Sequence, residues 1–240
     1  MPDTSSESEV LTPAAASRRR SKKAMKEPTL WNSHKLVTLY AGTASESRAF
    51  VIHKDFATYH SPVLKAAFDS DFIEGQKQEY RFEDDFEEDV VRLLAHWFYT
   101  SILSLSQING LSWENETSME AFTTQSRCLI KLYVLADRLL IPTLQNQVLL
   151  KLDELAEKRH TMAVFMVPYV YENTGAESPL RQWMVWMLAI EIAPNVYARE
   201  SSKLPHSMLM DIITLLSETH PSKSKLKKQK DMAEYMVDVV

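Results

Sequence analysis

The first apolar positions of the chain alternate, whereas the later ones recur every three or four residues. Leu36-Val37-Thr38-Leu39-Tyr40 and Arg48-Ala49-Phe50-Val51-Ile52-His53 are rich in the β-branched, aromatic and aliphatic residues that suit a strand. Ala41-Gly42-Thr43 supplies turn chemistry between them, so the two strands are expected to pair as a hairpin. Glu79-Tyr80-Arg81-Phe82 alternates once more and predicts a third short strand. Between these, Ser61 is a good N-cap, and Pro62 stands at the first helical position, where its missing N–H costs nothing. Val63, Leu64, Ala67 and Phe68 then share one face of a short helix.

From about Glu87 to Tyr99 the period is helical throughout. Val90, Val91, Leu93, Leu94, Trp97 and Phe98 gather on one face. The carboxylates of Glu83, Asp84, Asp85, Glu87, Glu88 and Asp89 precede it or fill its first turn, where the helix dipole favours negative charge. Ser104 to Ser126 is polar and irregular and predicts a long loop. A helix lined by Leu129, Leu132, Tyr133, Ala136, Leu139 and Leu140 follows. Pro142 starts another, carrying Leu144, Val148, Leu152 and Leu155. Helical apolar faces recur at Val164 to Tyr171, Leu180 to Ile192 and Met208 to Leu216. Mixed strands and helices early, then helices alone, predict an α+β core with an all-α extension.

The ends read differently. Residues 1–32 are rich in Ser, Ala, Pro and charge and predict a disordered arm. Within it Arg18, Arg19, Arg20, Lys22 and Lys23 form a compact basic cluster of the composition of a nuclear-import signal. A second basic run, Lys223 to Lys230, lies in a charged tail over residues 220–240. The expected organisation is thus an arm at 1–32, a folded domain at 33–155 with an insertion at about 104–126, a helical extension at 156–219, and the tail.

Composition narrows the chemistry. With 45% hydrophobic residues the chain has material for a sizeable core, and with only 4 glycines a Gly-rich phosphate loop is not expected. A net charge of −5 gives no overall attraction to nucleic acid. The single cysteine, Cys128, excludes an internal disulfide and a thiolate-rich zinc site within one chain. No apolar signal core opens the sequence and no run is long enough to span a membrane, so an intracellular location, nucleus or cytoplasm, is expected.

Candidate chemistry is sparse. His53, His60 and His96, with Asp55, contain metal-ligand types but fall on different elements, and zinc needs three or four convergent ligands. Cys128 lies near the start of an amphipathic helix, where a free cysteine usually packs as a small hydrophobe, with no activating triad in view. Trp183-Met184-Val185-Trp186-Met187 is apolar at every position, more than one helix face requires, so part of it should meet a neighbouring helix or a partner. No catalytic residue, cofactor or metal is expected.

Phe50-Val51-Ile52-His53-Lys54 followed by Tyr59-His60-Ser61-Pro62-Val63-Leu64-Lys65-Ala66-Ala67-Phe68 resembles the opening of a BTB/POZ domain. Phe72-Ile73-Glu74-Gly75, the helix ending in Trp97-Phe98-Tyr99-Thr100, and Leu132 to Asn146 continue the likeness in order over roughly residues 33 to 155. Val170-Tyr171-Glu172-Asn173-Thr174 and Ser178-Pro179-Leu180-Arg181 extend it to about residue 195 and resemble the fungal branch. The resemblance implies a small sheet flanked by helices that binds proteins as an adaptor or scaffold. In members that serve cullin-3 ubiquitin ligases an apolar-x-Glu pattern follows the second helix, and Phe72 and Glu74 hold that place, an aromatic anchor beside a carboxylate rim. Some members form homodimers by exchanging an apolar N-terminal helix and strand; the polar arm here carries neither, and Lys35-Leu36-Val37 stands where many members have Asp-Val. A different reading is a nuclear regulator whose two basic runs contact chromatin or nucleic acid through weak, salt-sensitive charge pairing.

Overall fold

The structure, a computed structural model, describes residues 27–43, 45–82, 86–108, 118–191, 202, 204–218 and 232–238. It is mixed α+β, a three-stranded sheet flanked by helices. Strands β1 (Leu36–Ala41) and β2 (Arg48–His53) pair antiparallel, Leu39 opposite Phe50, as the hairpin pattern predicts. Gly42 turns the chain away from β1 at φ 79°, a conformation that costs a glycine little. Strand β3 (Glu79–Arg81) joins β1 in parallel on its other side, giving the order β2-β1-β3. The alternation along β1 decides which face is covered: Val37, Leu39 and Ala41 are buried, and Ile52 of β2 joins them.

The connection from β2 to β3 carries three short helices, α1 (Lys54–His60), α2 (Pro62–Phe68) and α3 (Ile73–Lys77). Only α2 has a clear apolar face in the sequence; α1 buries Ala57 alone, and α3 buries no residue. The Ser61-Pro62 start of α2 works as expected and does more. The Ser61 hydroxyl accepts the Leu64 N–H at 3.1 Å and donates to the carbonyl of Leu139 at 2.8 Å, far along the chain. Cap and long-range tie therefore share one buried hydroxyl.

Helix α4 (Glu88–Thr100) packs its predicted face against the sheet and is anchored by the fully buried Trp97 and Phe98. Its end is fixed from α6 (Pro142–Arg159). There the Gln147 side chain accepts from Trp97 Nε1 and the Leu103 N–H, each at 3.1 Å, and donates to the Ser101 carbonyl at 3.0 Å. Between them runs α5 (Met119–Arg138), which starts earlier than the expected loop at 104–126 allows. Ser118 caps it through the Ala121 N–H at 3.0 Å, and residues 119–126 form its first two turns. The loop reading failed because Gln125 and Ser126, polar residues normally left in water, are buried here beside Phe122. Leu139 ends in the core, but Leu140 does not line a helix face: it follows the helix at φ 55° and is 59% exposed.

Among the described residues the remaining α-helices are α7 (Val167–Asn173), α8 (Pro179–Trp186), which runs on as a π-helical turn over Met187–Glu191, and α9 (His206–Glu218). Asp153 of α6, itself buried, accepts from the indole N–H of Trp183 at 2.8 Å and so ties α6 to α8. Arg181 donates to the Tyr171 carbonyl at 2.5 Å with its guanidinium 4.3 Å from the Tyr171 ring, and the Tyr171 hydroxyl donates to Asp211 of α9 at 2.7 Å. One apolar cluster runs from Val37 in the sheet to Ile212 in α9, so sheet and later helices share a core.

Both ends differ in part from the expectation. The arm at 1–32 falls largely outside the described residues, but its last part holds a 3-10 turn, Leu30–Asn32, whose Asn32 side chain donates to Asp55 at 3.1 Å. Within the charged tail at 220–240, Met232–Tyr235 forms another 3-10 turn and buries Tyr235 in the same core. A single aromatic residue in a charged stretch has no periodicity to announce that it docks.

Candidate interaction surface

The Phe72–Glu74 segment is built from the end of α2. Lys54 and Lys65 converge on Asp69 at 2.9 and 2.6 Å, and Lys54 also donates to the Phe68 carbonyl at 2.9 Å. Hydrogen bonds from these two ammonium groups, Lys65 first, hold the Asp69 carboxyl below its usual range. Ser70 donates to the Ala67 carbonyl at 2.7 Å and accepts the Phe72 N–H at 3.3 Å. Phe72 then stands as the N-cap of α3, its carbonyl accepting the Gln76 N–H at 2.9 Å.

On the far side the turn is closed by Gln78 at φ 56°, whose side-chain amide donates to the carbonyls of Phe68 and Gly75 at 2.9 and 2.5 Å. Gly75 explains the tightness. A Cβ there would lie 1.8 Å from the Ser70 carbonyl oxygen, so only glycine lets α3 fold back on the end of α2.

The braced turn turns its apolar residues outward. Phe72 is 76% exposed and the adjoining Ile73 59% exposed, while Glu74 in the first turn is half-buried. Phe72 therefore does not pack beneath its own loop. Two neighbouring exposed hydrophobes on a backbone held by at least six hydrogen bonds and ion pairs are pre-ordered, so docking a partner there would cost little further ordering. Sequence reasoning found Phe72 and Glu74 but missed Ile73, whose only signal was standing next to Phe72.

The other candidate residues are dispersed. His53 ends β2, where its backbone N–H and Nδ1 lie 2.9 and 2.8 Å from the Tyr99 hydroxyl. His60 sits among the rings of Tyr59, Trp97 and Phe98, and burial lowers its pKa, partly offset by a hydrogen bond with the Phe98 backbone. His96 faces Thr100 in α4. Among the described residues no group of three or more His, Cys, Asp or Glu is placed to hold a metal ion. Cys128 is packed in the core, where burial first, then Asp89 and Glu87, push its thiol up to about 12; at neutral pH it is a protonated thiol. Of the carboxylates at the start of α4, Glu88 and Asp89 in its first turn pair with Arg92, Glu88 also meets Arg48 at 3.2 Å, and the N-cap Glu87 meets Lys131 at 2.6 Å. Glu83, Asp84 and Asp85 lie outside the described residues, as do both basic runs, Arg18 to Lys23 and Lys223 to Lys230. Among the described residues no helix is long and apolar enough to cross a membrane. The sequence matches no protein-family model and no curated protein.

Proposed function

We propose that this chain is a BTB/POZ-type interaction module that acts as an adaptor or scaffold, with Phe72 as anchor, Ile73 beside it and Glu74 as the charged rim. The observation that carries the reading is the exposure of Phe72 and Ile73 on a turn that the protein holds rigidly. A large aromatic side chain left in water is a net cost unless something covers it, and aromatic anchors ringed by polar groups dominate binding energy at interfaces. The ordered likeness to the BTB/POZ family over residues 33 to 155 and a three-stranded sheet flanked by helices support the module reading. The apolar-x-Glu pattern at Phe72 and Glu74, which resembles that of cullin-3-binding members, makes cullin-3 the partner to test. The test is affinity capture from the protein's own cell extract with full-length wild type and with Phe72→Ala/Glu74→Ala. Cullin-3 recovered by wild type and lost by the double variant fits a ligase adaptor. Equal recovery by both baits rejects this turn as the contact.

A further inference from the structure

Trp183, Met184, Val185, Trp186 and Met187 are all buried, although a helix apolar all round offers no solvent face of its own. Helices α7 and α9 cover part of that surface, and the Asp153 bond holds Trp183 against α6. Another part is covered by Met232–Tyr235, which contacts both α6 and α8 and is separated from α9 by residues 219–231. Tyr235 is its anchor, 9% exposed, with Met232 half-buried beside it. Two residues further on, Asn146 of α6 grips the main chain at both polar atoms: its Nδ2 donates to the Val237 carbonyl at 2.7 Å and its Oδ1 accepts the Val237 N–H.

That grip reads backbone and not side chain, in the way a strand edge pairs with an extended peptide. It sets one requirement on an occupant, an aromatic residue two positions ahead of the main-chain unit that Asn146 holds. We propose that the groove between α6 and α8 is a peptide-binding site and that Met232–Asp238 is its built-in occupant, a strap that a partner segment with an aromatic residue two positions ahead of the gripped main-chain unit displaces. The strap is suited to release because its hold is local: beyond the Asn146 bonds, Tyr235 is the one well-buried side chain among its described residues, Met236 and Val237 being half-buried and Asp238 exposed. Its tether raises its local concentration, so a free peptide competes poorly until the anchor is weakened.

The test titrates a fluorescent peptide of the sequence from Asp231 to Val240 into three full-length chains: wild type, Tyr235→Ala, and Tyr235→Ala with Asn146→Ala. The Tyr235→Ala chain should bind at least tenfold more tightly than wild type, and Asn146→Ala should remove that gain. No uptake by a Tyr235→Ala chain that keeps the wild-type circular dichroism, or equal uptake by all three, overturns the proposal. Should Tyr235→Ala fail to fold, hydrogen exchange of the wild-type chain decides. The Val237 amide should then exchange at least tenfold faster than the Leu132 amide of α5 and at least tenfold slower than in the free peptide. Exchange together with Leu132 would make the segment a fixed part of the core, and exchange at the free-peptide rate would mean it is not docked; either result overturns the proposal.

Discussion

Phe72-Ile73 and Trp183 to Met187 are both unbroken apolar steps in the sequence, and the fold treats them in opposite ways. The later stretch is buried on all sides, by α6, by α7, by α9 and by the segment around Tyr235. The earlier pair stands in solvent on a turn whose every brace is polar or main-chain. One stretch is apolar because neighbours cover it, which is a matter of stability. The other has no covering element among the described residues, although the backbone beneath it is fixed, and that is the condition expected of a binding anchor. Hydropathy alone does not separate the two; the surroundings do.

The comparison is broken most readily at the buried side. Trp183→Ala removes a large side chain from the core and leaves the Asp153 carboxylate without its indole partner, so denaturant unfolding should show a loss of about 3–5 kcal/mol. A loss within 0.5 kcal/mol, of the order seen for ordinary surface positions, would mean that α8 is not core. Ser61→Ala deletes a cap and orphans the buried carbonyl of Leu139, which together should cost roughly 2–4 kcal/mol in the same measurement. Ser61→Thr should recover part of it if the hydroxyl is the cause.

Gly75→Ala sharpens the exposed side. Its Cβ collides with the Ser70 carbonyl, so the turn must shift, at roughly 1–3 kcal/mol by the usual cost of overpacking. Amide shifts in an NMR spectrum should change over residues 69–78 and leave α5 and α6 as they are; a spectrum unchanged over 69–78 would show that the turn has slack. The smallest effect is titration of His60. Burial holds its folded pKa below the ordinary 6.5, so the unfolded chain binds the extra proton first and stability should fall as pH drops below about 6.5. A His60→Gln chain should have a flatter stability profile between pH 7 and 5, measured by urea midpoints.

What the sequence revealed was local. The β1–β2 hairpin, the Ser61-Pro62 start of α2 and the stripes of α4 and α6 follow from alternation, capping and period, each decided within a few residues. Helices α1 and α3 were missed because they carry almost no buried face and are held from outside, α3 by the close approach of Gly75 to Ser70. The first turns of α5 were hidden by Gln125 and Ser126, whose burial is a tertiary fact. Val237 shows the same limit, since a main-chain grip by Asn146 leaves no trace in the identity of the residue gripped. As for the site, Phe72 and Glu74 came from a family resemblance and not from periodicity. That Phe72 points outward and has Ile73 for company needed the fold.

The most direct test of the central claim is a calorimetric titration of cullin-3 into full-length wild type and into Phe72→Ala/Glu74→Ala. Removing the exposed Phe72 ring and the half-buried Glu74 carboxylate should shift the unfolding midpoint very little, because neither belongs to the core. The Kd should rise at least tenfold, about 1.4 kcal/mol or more, with that stability retained. An unchanged Kd in the double variant would contradict the claim and send the search for the partner surface to another face of the molecule.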